Sequence, residues 1–261
     1  MTAFLNRITI FPIKSLDGLD VPETRVLPSG ALEHDRRFAL VDAEGRFVNG
    51  KRTAAVHRIR TEFDLAIWTV RFNSEIEFSL LHQQHEVGQW LSNALGVACG
   101  LAENPSGGFP DDTQSPGPTL ISTATLAEVA TWFPGITLDE ARRRFRANLE
   151  IGGVEAFWED RLIGSAGAEI PFQVGGVRWL GMNPCQRCVV PSRAFEGGGT
   201  TPGFQKTFAS ERERRLPAWA PRGRFNHFFR LAVNTRLAPG QPSGRVGVGD
   251  PVTGVPRPAG S

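Results

Sequence analysis

Two thiols three residues apart, with an arginine between them, stand in Asn183-Pro184-Cys185-Gln186-Arg187-Cys188. A C-x-x-C of this kind can be a dithiol redox pair, half of a zinc site, a soft-metal ligand, or two half-buried cysteines with no chemistry. Zinc wants four ligands, and the chain has no second C-x-x-C and no pair of histidines at finger spacing. His82 and His85 are the remaining candidates, and they read more simply as a polar edge. A thioredoxin-type pair would open a helix, whereas Pro184 before the motif and Val189-Val190-Pro191 after it read as strand. A thiolate held at a strand end beside the positive charge of Arg187 makes a good soft-metal ligand or nucleophile.

Three further clusters carry charge in patterns that suit a bound anion. The run Arg142-Arg143-Arg144-Phe145-Arg146-Ala147-Asn148 would ordinarily be a solvated helix face. Arg146 and Asn148, however, fall where the pattern turns to strand, so period two points both to one side. An arginine and an asparagine on one face can hold a flat heteroaromatic ring or a phosphate through several hydrogen bonds. Phe11-Pro12-Ile13-Lys14-Ser15 is a turn that sets an ammonium and a hydroxyl at one point, with a solvent-exposed lysine as the plainer reading. Asp35-Arg36-Arg37-Phe38 opens a strand, where alternation sends Arg36 and Arg37 to opposite faces, so only one can join an interior site.

The elements that must position these residues are short. Strands are expected over residues 5–11, 25–27, 37–42, 46–48, 62–70 and 71–81, with Ala43-Glu44-Gly45 as a three-residue hairpin loop. Residues 87–97 space apolar side chains as an amphipathic helix does. Residues 104–118, dense in Gly, Pro, Asp and Ser, form a loop or interdomain link. A helix follows over residues 122–132, with Ser122 or Thr123 as N-cap, and another over 139–145 hands over to a strand at 146–151. Further strands are expected at 169–174, 176–180 and 229–235. The Arg- and Glu-rich stretch 204–219 reads as a solvated helix or excursion, with a lid over the site as a less plain use, and residues 256–261 read as a frayed end.

Composition sets the outer bounds. The 261 residues, 40 % apolar and with 18 Phe and 6 Trp, can build a proper core, which excludes a wholly disordered chain. Twenty-nine Gly and 19 Pro indicate many turns and short strands, hence a barrel-like β or α+β architecture rather than a doubly wound sheet. A net charge of +2 predicts no nucleic-acid or membrane partner. Lys14, Lys51 and Lys206 are the only lysines among 29 basic residues, an excess of arginine that reflects genome composition or forked recognition of phosphate or carboxylate. Cys99, Cys185 and Cys188 cannot make a disulfide framework, no apolar run reaches a membrane span, and the first residues read as strand rather than leader. A cytoplasmic, thiol-reduced chain without a membrane span is expected.

Several separated fragments together carry a resemblance. They are FPIKSLDG at 11–18, HDRRFALVDAEGRFVNGKR at 34–52, TLISTATLAEV at 119–129, RFRANLEIGG at 144–153, FWED at 157–160, NPCQRC at 183–188 and VGD at 248–250. In this order they resemble the MOSC-domain proteins (the molybdenum cofactor sulfurase C-terminal domain) preceded by their N-terminal β-barrel domain. That family includes the mitochondrial amidoxime reducing component and its bacterial relatives. The resemblance implies a mainly β, α+β chain: a β-barrel-like domain over residues 1–115 and a MOSC β-barrel with a few helices over 116–255, the site lying where they meet.

It also implies a molybdenum cofactor, molybdopterin holding Mo, with the thiolate of Cys188 as metal ligand and catalytic centre; Cys185 matches a position commonly cysteine but not the ligand. The pterin and phosphate contacts carry over to Lys14, Ser15, Arg36, Arg146 and Asn148, and also to Ser122 and Thr123. Where the family usually shows R-F-R-P-N, Ala147 stands in place of proline and leaves the flanking Arg and Asn intact. The implied activity is the reduction of small N-hydroxylated or N-oxygenated compounds to the amine or amidine. Since no cysteine follows Cys188, the expected electron donor is a separate flavin or iron–sulfur protein. The rival from another class is a sulfur (persulfide) or cofactor carrier without reductase activity, and a third reading is a non-catalytic binding module. The wider family also carries a pyridoxal-phosphate association.

Overall fold

Leu5, Ile8 and Ile10 are the buried side of the first strand, β1 (Phe4–Ile10), and an irregular register between Leu5 and Arg7 keeps Leu5 and Ile8 on one face despite their odd spacing. The structure is a computed structural model that describes residues 2–256, so all but the first residue of the expected frayed end, 256–261, lies outside the described residues. Along the chain follow β2 (Leu19–Val21), β3 (Glu23–Val26), β4 (Phe38–Val41), β5 (Thr61–Asp64), β6 (Thr69–Phe72), β7 (Ile76–Ser79), α1 (Gln84–Leu95) and β8 (Gly100–Glu103). Then come β9 (Leu120–Ser122), α2 (Thr123–Thr131), α3 (Leu138–Phe145), β10 (Leu149–Gly152), β11 (Ile170–Val174) and β12 (Val177–Gln186). The remainder is α4 (Phe204–Arg214), β13 (Arg230–Leu237), β14 (Gly244–Gly247) and β15 (Val252–Thr253). Among the described residues the elements are thus mostly strands, with four α-helices, an α+β fold.

The largest sheet runs β15-β11-β12-β13-β9-β10-β1-β2, and β3 pairs with β14. The first three strands therefore complete a sheet system whose other members lie after residue 119. Leu5, Ile8, Ile10 and Val26 pack with Trp179, Val177 and Val233 in one apolar core. A separate core formed within residues 13–101 holds the β5-β6-β7 meander, the β4-β8 pair and α1, with Phe38, Phe72, Val87 and Leu91 buried at its centre.

The structure divides the expected 62–70 and 71–81 strands into three. Trp68 (φ 57°) closes the first turn, and consecutive left-handed residues Asn73 and Ser74 open the second, a three-residue loop between the paired Phe72 and Ile76. The expected 37–48 hairpin turns at Gly45 (φ 75°), but its return leg is a single bridge, Val41 to Phe47, because β4 takes β8 as its ladder partner.

Helix ends follow local chemistry. Ser122 caps α2 by accepting from the Thr125 N–H at 3.1 Å, and Thr137 caps α3 by accepting from Glu140 N–H at 3.1 Å. The larger surprise is α4. It is a helix with an exposed polar face, as expected, but its other face is core: Phe204, Phe208 and Arg212, one turn apart, are all at most 2 % exposed, and the two rings pack with Phe133, Phe145 and Phe229. It lines no part of the cavity described next, so it acts as core and not as a lid.

Candidate functional site

A cavity of about 590 Å³ opens between the two halves, walled by residues 14–60 on one side and 107–234 on the other. Lys14, Ser15, Arg36, Arg146, Asn148 and Cys188, far apart in sequence, all line it. Its wall carries ten lysines and arginines against four aspartates. An excess of positive charge in a concave, partly desolvated space focuses the field and favours an anion.

Three of these residues have unusual backbones. Ser15 (φ 74°), Arg36 (φ 51°) and Arg146 (φ 51°) all sit in the left-handed region without being glycine. Each such residue costs about 1–2 kcal/mol, and strain of this kind gathers where side chains must be aimed. Arg146 illustrates the point. The sequence places it on a strand with Asn148, but α3 runs to Phe145, Arg146 is its left-handed C-cap, and β10 starts only at Leu149. The two side chains reach the cavity through a helix end, not through strand alternation. Likewise Arg36 lies in a turn before β4, yet Arg36 and Arg37 do diverge: Arg36 enters the cavity and Arg37 pairs with Glu103 against Trp68.

The polar groups divide into clamped and unclamped. Asn148 is fully engaged by protein. Its Nδ2 donates to Thr9 O at 3.0 Å and to Asp35 Oδ1 at 3.1 Å, while its Oδ1 accepts from Thr119 N–H at 3.2 Å and Arg36 Nη1 at 3.3 Å. It thus orients Arg36 rather than presenting a free edge. Asp35 shares that task, accepting from the Phe11 N–H at 2.9 Å and from the Arg36 guanidinium. Lys14 donates from Nζ to Phe109 O and to Asp111 Oδ1, each at 2.8 Å, and Lys51 approaches the same carboxylate at 3.4 Å. Burial pushes the Lys14 ammonium down, partly offset by Asp111. Burial alone would raise the Asp111 carboxyl, but the Lys14 and Lys51 charges outweigh it and hold it well below the usual carboxylate range.

Arg146 is different. Its guanidinium lies 4.1 Å from the Phe11 ring centre and has neither a hydrogen bond nor a carboxylate partner among the described residues. Burial, and next the charge of Arg36, push it down to about 10, so it stays charged at neutral pH without a counter-ion.

Cys185 and Cys188 both line the cavity, and neither is in a disulfide. β12 carries Cys185, and the chain leaves the strand at Gln186, so Cys188 follows its end by two residues. Arg187 directs Nη1 to Cys185 Sγ at 3.2 Å and its other fork to the Phe145 carbonyl. Its charge is therefore placed beside Cys185, where the sequence sets it equally near both thiols.

Other expected site residues go elsewhere. Ser122 is fully buried as the α2 cap, and Thr123 donates to Glu150 Oε1 at 2.8 Å; neither lines the cavity. His82 and His85 are exposed, and among the described residues no group of three or more His, Cys, Asp or Glu is arranged to hold a metal ion. Residues missed in the sequence include Asp35, Asp111 and His57. Asp111 belongs to the 104–118 segment, which crosses the Arg36 turn so closely that a Cβ on Gly108 (φ 65°) would meet Asp35 O at 2.4 Å. His57 directs Nε2–H to Gly50 O at 3.1 Å; burial, resisted by that bond, pushes its pKa down. A Gly-Gly-Phe-Pro-Asp-Asp string in a long loop was the available signal for Asp111, but nothing local marks His57 or Asp35.

The donor set suits a phosphorylated, sulfur-ligated cofactor. It offers a desolvated guanidinium lacking a counter-ion, two further fixed cations and two thiols on one wall.

Residues 2–80 match the MOSC N-terminal beta barrel domain and residues 119–253, just over half of the chain, match the MOSC domain. No curated protein matches the chain. Among solved structures, the YUAD protein from Bacillus subtilis is similar at 13 % identity and TM-score 0.40, over 97 % of this chain and 94 % of that one. A structure described only as a hypothetical protein is similar at 11 % identity and TM-score 0.38, over 97 % of this chain and 66 % of that one. No helix among the described residues is long and apolar enough to cross a membrane. The chain belongs to the MOSC-domain family, associated with molybdenum cofactor sulfurase-like proteins, and carries that family's N-terminal barrel domain ahead of the MOSC domain.

Proposed function

We propose that this protein holds a molybdenum cofactor in the cavity and reduces N-hydroxylated compounds to the amine or amidine. The observation that carries the reading is the convergence of Cys188 with Lys14, Ser15, Arg36 and Arg146 on one cavity. The chemistry such a bound cofactor supplies is a two-electron couple able to cleave an N–O bond. The balance is R–NH–OH + 2 e⁻ + 2 H⁺ → R–NH₂ + H₂O, with electrons from a separate flavin or iron–sulfur protein.

The residues of the chain divide the remaining work. Cys188 offers the soft thiolate ligand. Arg146, unpaired, and Arg36, aimed by Asp35 and Asn148, hold the phosphate end by forked hydrogen bonds, with Lys14 as a point charge. Ser15 adds a hydroxyl at the same turn. His57 gives its Nε2 proton to Gly50 O, leaving Nδ1 as an atom that can take up and pass on a proton within the cavity.

The test is elemental analysis for molybdenum and pterin fluorescence after oxidation, on protein from a cofactor-competent host, together with benzamidoxime reduction by a dithionite-reduced dye. Metal and pterin are expected at close to one per chain, and both are lost in Cys188→Ser or Arg146→Gln. Metal-free, pterin-free protein from such a host would defeat the reading. The second reading, a persulfide carrier, draws on the Arg187 contact to Cys185 Sγ within the same cavity. Mass spectrometry showing one added sulfur on a cysteine, with no pterin, would favour it.

A further inference from the structure

Three arginines that line the cavity, Arg143, Arg146 and Arg193, have no hydrogen bond from the guanidinium and no carboxylate partner among the described residues. Arg193 Nε is shielded from solvent with no acceptor. Elsewhere in the cavity wall, Lys14 and Lys51 are matched by Asp111, Arg36 by Asp35, Arg144 by Glu140 and Arg60 by Asp17, while Arg187 and Arg230 have no carboxylate but are tied down by hydrogen bonds to Phe145 O and Cys185 Sγ and to Pro184 O and Asn226. The proposed function uses Arg146 alone of the unmatched three.

Arg143 and Arg193 do not belong to the Lys14 corner. Phe195 carries two guanidinium groups, with Arg60 at 3.8 Å and Arg143 at 4.2 Å from its ring centre. Arg193, Arg146 and Arg60 are the charges that bear on His57, whereas Asp111, Arg36 and Lys51 are those that bear on Lys14. Arg146 thus stands between two cationic groups. The acids near the second group leave it unneutralised. Asp17 pairs with Arg60 and accepts from the Thr61 N–H at 2.9 Å, Glu140 pairs with Arg144, and the exposed Glu196 pairs with none of these arginines.

We infer that the cavity has a second anion seat, built by Arg143 and Arg193 beside the Phe195 platform, which takes a carboxylate carried by an aromatic N-hydroxylated substrate. The class follows from the lining. Forked guanidiniums match a planar carboxylate, and an arene fits against an aromatic and guanidinium wall. The inference rests on the proposed reduction for its substrate, but the anion seat itself does not.

The experiment compares benzamidoxime with 4-carboxybenzamidoxime on the cofactor-loaded protein and titrates 4-carboxybenzamidoxime into the cofactor-free protein by calorimetry. The wild type is expected to show a KM about tenfold lower for the carboxylated compound, the preference shrinking as salt rises. In Arg143→Gln/Arg193→Gln the ratio of the two KM values falls to about one, and the calorimetric affinity drops about tenfold. Arg143→Gln alone, at an exposed position, keeps the test usable if the double variant folds poorly, with an intermediate ratio expected. No preference in the wild type, or a preference that survives in the variants, overturns the inference. So does a nucleotide on the released pterin, which would assign the seat to the cofactor. If neither compound is turned over, the reductase reading has failed, and the calorimetric comparison alone decides whether the seat exists: a tenfold loss upholds it and equal affinities reject it.

Discussion

Arg212, buried, and Arg146, half-buried, are both laid against phenylalanine, yet they do opposite things. Arg212, 1 % exposed, lies 4.4 Å from the Phe157 ring centre and 4.9 Å from that of Phe225, and its Nη2 meets Asp160 Oδ2 at 2.5 Å. Arg146 lies 4.1 Å from Phe11 and meets no carboxylate at all. Burial against an aromatic ring therefore does not mark a site. What marks it is a missing counter-charge facing open space. Around Arg212 the protein has closed its own electrostatic account; around Arg146 it has left one charge for a ligand to satisfy.

Mutation should separate the two regions most sharply at Arg212. Arg212→Ala strands Asp160 in the core and is expected to cost about 3–5 kcal/mol in urea unfolding. A cost below about 1 kcal/mol would mean the pair is not structural. Phe208→Ala, which empties the adjoining ring cluster beneath α4, is expected to cost about 3 kcal/mol, with the ratio of KM values for neutral and anionic amidoximes unmoved. A changed ratio would give α4 a part in the cavity after all.

Glu159 sharpens the contrast by pH. Burial, and next the neighbouring Asp160, push it up to about 7, and its Oε1 has no partner. The folded state therefore holds a proton that the unfolded chain has released from about pH 4.5 upward. Stability from this group is full below pH 4.5 and is lost as pH rises to about 7. Glu159→Gln should flatten that decline, on the order of 1–3 kcal/mol between pH 5 and 8. Parallel urea-midpoint profiles for variant and wild type would refute it. The smallest effect on stability belongs to Arg146→Gln, within about 1 kcal/mol and in the stabilising direction, since it removes an uncompensated, half-buried charge. Pyrophosphate binding to the same cofactor-free variant should nevertheless weaken at least tenfold; a variant that unfolds easily but still binds would reverse the assignment.

Much of the site was legible because its parts are local. The thiol pair needs only Cys185 and Cys188 at i, i+3, the α2 cap needs only Ser122 before a helical run, and the fragment order carried the family. The errors were also local in cause. α4 was read by its Arg and Glu content, though Phe204 and Phe208 at i, i+4 already signalled a buried stripe. Arg146 was assigned to a strand because a left-handed cap on a non-glycine residue has no sequence signature. Asn148 kept its place at the cavity but not its role, because hydrogen-bond saturation depends on Thr9, Asp35 and Thr119 arriving from three other segments.

Residue type and short-range spacing, then, determined by themselves which groups could bind metal or phosphate, where most helices begin, and that strands dominate. Only the tertiary structure decided which cations are neutralised and which are left over. A counter-charge is a long-range partner: Lys14 finds Asp111, Arg36 is steadied by Asn148, and Arg146 finds nothing. That balance is set when β1–β3 join the sheet of the second half and bring the two walls together, a pairing that no window of the sequence contains.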